Sequence, residues 1–274
     1  MRLFGQRTIY GIKLNNAMLS GFHYKPLKNT TLNEKFNILI DKHTPIGMYP
    51  KCNTFVIGIG GNYLTDNTET YKYTNHQPID ASLFNHIPFI LRKPGNDLTY
   101  ERKKYRLRTT LYINGEMYIA YYGKFCNEID YRNEISMIVP TEYGDRLDYL
   151  NTQNDKLLNP EPFIFNSIKG LDNNYNSKYV VDKFKMTFEL NSMEQEELKN
   201  VYNILGLDLN TKITEIGIVF SHDTLVDGYN EICDAQIYTH ITCGIDLISD
   251  LIPDKKFTRY FELGGAEPML LKNE

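Results

Sequence analysis

The sequence predicts a mainly β protein: an antiparallel, sandwich-like domain with one or two short helices and a long Asn-rich loop insertion. Three observations carry this. In "RLRTTLYINGEMYIAYYGKF", Arg106 to Phe125, the pair Asn114-Gly115 sits between two runs of β-branched and aromatic residues. That dipeptide accepts positive φ at both central turn positions, so a tight type I′ hairpin is expected. In "DKFKMTFEL", Phe184, Met186, Phe188 and Leu190 alternate with Lys183, Lys185, Thr187 and Glu189. This is the pattern of a half-buried antiparallel strand. Finally, strand and helix patterns do not take turns along the chain, which argues against a parallel α/β fold.

Taken in order, "TTLNEKFNILIDKH" comes first. Thr31 with Glu34 suits a capping box, and Phe36, Leu39 and Ile40 fall on one helical face. "FNILID" also alternates, and a strand is favoured because Asn37 and Asp41 are poor helix formers. "CNTFVIGIGG" reads as a short apolar strand ending in glycines. "NEISMIVP" is a further strand after the hairpin. From Thr141 to Lys178, Asn, Asp, Pro and Gly crowd in, and a long loop, or a pair of short strands in one, is expected; loops of this length are usually functional or interfacial.

The best helix is "SMEQEELKNVYNILG". Ser192 is expected to cap it, with Gln195 closing the box, Leu198, Val201, Tyr202 and Leu205 as the apolar stripe, and Gly206 as the stop. Four strand-like runs finish the chain: "TEIGIVFSH", "AQIYTHITCGIDL", "KFTRYFEL" and "GGAEPML". In the second, Ile237, Thr239, Ile241, Cys243, Ile245 and Leu247 are expected to share a face.

The bulk numbers fit a folded chain. It has 274 residues, 42% hydrophobic and 23% charged, enough for one large domain or two modest ones. We read a single β-rich domain, 1–274, with an irregular insertion around 141–178. The net charge of −4 gives no footprint for wrapping nucleic acid. No run approaches the ~20 apolar residues of a membrane span. The opening "MRLFGQRTIYGIKLNN" lacks the apolar core of a signal peptide. Cys52, Cys126, Cys233 and Cys243 form no C-x-x-C pair, which favours scattered thiols in a reducing compartment over a metal site or disulfide framework.

The glycines of "FVIGIGGNY" raise a sharper question. A phosphate loop needs a helix directly after it. Here turn and strand material follows, and G-x-G-G matches no nucleotide-binding pattern, so a strand-ending corner is the better reading. The histidines show no metal-binding spacing. His76, Asp80 and His86 lie in one stretch, but structural roles account for them as well. Ser221, His222 and Asp223 are adjacent, and neighbours on a strand point to opposite faces, so they form no relay. "DTLVDGYNE" is too short and too poor in acids for a calcium loop. No catalytic motif, cofactor or metal is expected.

Three stretches remain: "FVIGIGG", "HQPIDASLFNHIPFILRKPGNDLTYERKKYRLR", and "VYNILG…ITEIGIVFSHD…GAEPML". Together they resemble virion structural proteins of tailed bacteriophages, over roughly residues 50 to 270. The resemblance implies a non-enzymatic building block of the neck, collar or tail, made in the host cytoplasm and residing in the virion. Its partners would be copies of itself and neighbouring virion proteins. Such proteins act in symmetric rings or sheaths. The contact residues expected from composition are Arg92, Arg102, Lys103 and Lys104 in the basic segment, with Tyr175 and Tyr179 in the long loop. A receptor- or glycan-binding module of the tail is the alternative, since Tyr-rich loops suit sugar stacking.

Overall fold

The computed structural model describes residues 4–65, 68–126, 128–132, 134–150, 153, 158, 179–208, 212–245 and 256–268. The chain divides into two compact units. The first comprises Met1–Asn127 and Phe188–Arg259, the second Glu128–Thr187 and Tyr260–Glu274. Both are built on antiparallel sheets, so the class is mainly β and consistent with the sandwich-like expectation. Among the described residues no helix is long and apolar enough to cross a membrane.

The first unit holds an eight-stranded sheet. Its strands are β1 (Phe4–Arg7), β2 (Lys51–Gly58), β5 (His86–Ile87), β6 (Ile90–Arg92), β7 (Tyr105–Ile113), β8 (Glu116–Phe125), β13 (Ile213–Val226) and β14 (Tyr229–Ile245). The order is β1-β14-β13-β2-β8-β6, with β5 on β2 and β7 on β8. A separate ribbon pairs β3 (Asn62–Thr65) with β4 (Thr68–Tyr73). The β7–β8 hairpin forms where it was predicted: Ile113 faces Glu116, and Asn114 and Gly115 take φ of 51° and 80°. The β13–β14 hairpin uses the same device, Asp227-Gly228 at 51° and 80°. That Asp-Gly turn is a sequence signal of equal strength.

Three helices accompany this sheet. α1 (Ile9–Ser20) starts at Thr8, whose hydroxyl accepts from the Gly11 amide, and ends at Gly21 in the left-handed conformation. It buries Tyr10, Gly11 and Leu14. Gly11 lies so close to β14 that a Cβ there would meet the Tyr238 ring at 2.7 Å. α2 (Leu32–Lys35) carries the predicted capping box of Thr31 and Glu34. The strand favoured for "FNILID" does not form. Asn37 turns the chain at φ 52°, no neighbouring strand pairs with residues 38–41, and Leu39 stands 96% exposed.

α3 (Ser192–Leu205) sits where expected, with its cap one residue earlier. Asn191 is the N-cap and Glu194 closes the box, displacing the Ser192 and Gln195 assignment. Leu198, Val201 and Tyr202 are buried and Gly206 stops the helix at φ 68°. β14 differs from a half-buried strand, because Glu231 to Tyr238 and beyond are covered on both faces. The Thr8 hydroxyl donates to the Ile237 carbonyl and the Asn33 amide to that of Ile232, so the starts of α1 and α2 lie against it. Leu247 lies outside the described residues.

The second unit is a five-stranded sheet, β11-β10-β12-β15 with β9 on β12. Its strands are β9 (Ile129–Tyr131), β10 (Ser136–Thr141), β11 (Gly144–Tyr149), β12 (Tyr179–Leu190) and β15 (Phe257–Pro268). The start of the expected irregular insertion is thus regular: Gly144–Tyr149 is a strand paired with β10. "KFTRYFEL" and the start of "GGAEPML", expected as two runs, are the single strand β15. On β12, Met186 is fully buried while Lys183 and Lys185 lie on the other face, as the alternation predicted.

Candidate functional site

The glycine corner at the end of β2 does collect an anion, and the anion is the protein's own. Glu215, on the neighbouring strand β13, is fully buried there. Its Oε2 accepts the Gly60 amide at 2.7 Å and the Asn85 amide at 3.2 Å. Its Oε1 accepts the Phe84 amide at 2.8 Å and faces His76 Nε2 at 2.7 Å. Gly61 donates alongside to the Thr214 hydroxyl at 2.9 Å. Burial alone would push the Glu215 carboxyl up. The bonds from His76 and the three amides outweigh it and hold the group below the usual range. The corner needs glycine for close approach: a Cβ on Gly61 would meet the Thr214 carbonyl oxygen at 2.3 Å.

His76 is locked on every side. Its Nδ1 faces Asp80 at 3.3 Å, and its ring is stacked between Phe84 and His240, each 4.0 Å away. His240 Nε2 donates to the Asp80 carbonyl at 2.9 Å, so its Nδ1 is an acceptor; that atom is buried and makes no hydrogen bond. Burial, then the neighbouring His76, push the His240 pKa down to about 4. His86 accepts the Leu83 amide at 3.0 Å and is likewise held well below the usual histidine range, chiefly by burial.

These groups could suggest a metal or an acid–base pair. The His76 and His240 rings are within 9° of parallel, so their nitrogens do not converge on one point. Among the described residues no group of three or more His, Cys, Asp or Glu is placed to hold a metal ion. Both oxygens of Glu215 are occupied by donors, which suits a clamp better than a base. Ser221, His222 and Asp223 do not act together: the Ser221 hydroxyl donates to Asn53 Oδ1, and the Asn53 amide donates to Asp223.

Of the residues expected at an interface, the four of the basic segment have partners within the first unit. Arg92 is ion-paired with Glu197 of α3. Arg102 lies 3.7 Å over the Tyr229 ring, and Lys103 3.7 Å over that of Tyr100. Lys104 pairs with Glu101 at 2.5 Å. Tyr179 is the first residue of β12 rather than part of a loop, and is 43% exposed. Tyr175 lies outside the described residues.

A different surface stands out. α1 packs one face, yet its outer side carries Ile9, Ile12 and Leu19, the last 87% exposed. Phe22 follows it at 73% exposure. The Tyr49 hydroxyl donates to the carbonyls of Ala17 and Phe22, which ties the segment holding exposed Ile46 and Met48 to the same helix end.

A family model, described as a family of unknown function (DUF7208), matches residues 3–274. The chain belongs to the DUF7208 family. No curated protein and no solved structure matches it significantly. In this DUF7208 chain the features that sequence reasoning missed are Glu215 and the outer face of α1. Glu215 had one visible signal, a charged residue inside the apolar run "ITEIGIVF"; α1 had Thr8 and Gly21 as its end markers.

Proposed function

We propose that this chain is a non-enzymatic structural protein that works in multiple copies. The observation that carries the reading is the apolar outer face of α1 and its continuation through Phe22. Leu19 and Phe22 are large, apolar and mostly exposed, three residues apart at one helix end, and exposed apolar groups placed together suit a protein contact. The conspicuous buried carboxylate is engaged in holding the fold, which is consistent with a role that lies in shape. A particle of a tailed bacteriophage, at the neck, collar or tail, is proposed on the resemblance that the three stretches "FVIGIGG", "HQPIDASLFNHIPFILRKPGNDLTYERKKYRLR" and "VYNILG…ITEIGIVFSHD…GAEPML" carry together. Negative-stain electron microscopy of the purified chain tests this. Rings or filaments of one stoichiometry are expected, and a field of single molecules at high concentration would oppose it.

A second reading, glycan binding, has one observation in its favour. On one face of the second unit's sheet, Tyr149 and Tyr260 are 54% and 63% exposed. Lys183, paired with Glu262 at 2.7 Å, and Lys185, 3.5 Å from Asp130, share that face. Exposed rings beside charged hydrogen-bonding groups suit a saccharide. Specific signals on a glycan array, lost in Tyr149→Ala and Tyr260→Ala, would support it; a blank array would remove it.

A further inference from the structure

A cavity of about 540 Å³ opens in the first unit beside the segment 25–43 and the β14 residues Cys233 and Asp234. Its size falls in the range of small-molecule sites. One wall is apolar, formed by Leu27, Ile38, Leu39 and Ile40. Leu27 and Leu39 are 52% and 96% exposed, so both present apolar surface to solvent beside the cavity.

The lining also holds Lys25, Lys28, Lys42 and His43. Lys42 is steered by a 2.7 Å bond to the Leu225 carbonyl. Lys25 and Lys28 make no ion pair among the described residues. Two carboxylates also border the cavity, and both are turned to other work. Glu34 accepts from the Asn29 and Thr31 amides and the Thr31 hydroxyl. Burial would raise its pKa, but these bonds hold it below the usual range. Asp234 accepts the Thr44 amide and hydroxyl and pairs with His43 at 3.0 Å. With both carboxylates engaged, Lys25 and Lys28 are the lining groups left with donors to offer, on a chain whose net charge is −4.

We propose that this cavity binds a small amphipathic carboxylate, an apolar chain of medium length ending in an anion. The chain lies against Leu27, Ile38 and Leu39, where burial of apolar surface drives binding. The carboxylate sits at Lys25 and Lys28, where charge-assisted bonds orient it. A neutral ligand of the same length would satisfy the wall and leave Lys25 and Lys28 unused.

Titration calorimetry with decanoate, below its micelle concentration, and with decanol tests this. Saturable decanoate binding is expected, with decanol at least about tenfold weaker. The double variant Lys25→Glu, Lys28→Glu should weaken decanoate by a similar factor, and Leu39→Asp should weaken both ligands. All three positions are exposed, so thermal unfolding of the variants should match the parent chain. Absence of saturable decanoate binding would overturn the proposal, as would equal affinity for decanol or an unchanged affinity in the double variant.

Discussion

The amide of Gly60 donates to Oε2 of Glu215 at 2.7 Å, across 155 positions of sequence. This one bond couples the end of β2 to the start of β13. With the Phe84 and Asn85 amides it gathers two distant backbone segments around a single buried charge. A glycine-rich corner that would meet a nucleotide phosphate in another protein is filled here by a side chain.

The first expected outcome concerns that charge. In Glu215→Gln, either orientation of the amide sets an NH₂ group against backbone N–H donors, because both oxygens now accept one. Leaving buried donors unmet and removing one partner of a buried pair costs on the order of 3–5 kcal/mol. Urea unfolding should show that loss. A change below about 1 kcal/mol would contradict the cage.

Glycine substitutions give a paired comparison. Gly61→Ala forces a Cβ to 2.3 Å from a backbone oxygen that cannot swing aside, whereas a Cβ on Gly95 meets nothing within 4 Å. The first should lose about 1–3 kcal/mol or more, and the second should be near neutral. Melting temperatures of the two variants, measured side by side, check this.

Acid should loosen the first unit before the carboxylates titrate. An unfolded histidine takes up its proton near pH 6.5. Folded His240, buried and beside His76, refuses it until about 4. The stability that rests on neutral His240 is therefore complete above pH 6.5 and lost as the pH falls from there to about 4, up to about 3 kcal/mol. His86 acts in the same direction. Glu215, held low, contributes stability above the ordinary carboxylate range that is lost as the pH falls through it. The urea midpoint should drop between pH 7 and 5, and His240→Gln should flatten that slope. A midpoint constant over this interval would contradict the assignment.

Much of the fold was legible because its signals are local. Asn114-Gly115 fixes a turn by its own φ angles, and Lys183 to Leu190 alternate because one sheet face is covered. α1 was hidden because Gly11, Asn15 and Asn16 weaken helix propensity and its apolar residues lie on both faces, which blurs the period. "FNILID" misled because alternation makes a strand only where a partner edge exists, and none reaches residues 38–41. The Glu215 cage was out of reach for a different reason. Its donors come from residues 60, 76, 84 and 85, and only the three-dimensional fold brings them together. The basic segment attracted attention as a charge run, and the structure gives Arg92, Arg102 and Lys104 partners of their own.

The outer face of α1 is the proposed contact surface between copies. Light scattering after size exclusion, on the parent chain and on the double variant Leu19→Glu, Phe22→Glu, tests it most directly. Both side chains are exposed, so the variant should fold with an unchanged melting temperature. A defined multiple of 31.9 kDa is expected for the parent chain and a single-chain mass for the variant. A single-chain mass for both, or the same multiple for both, would contradict it.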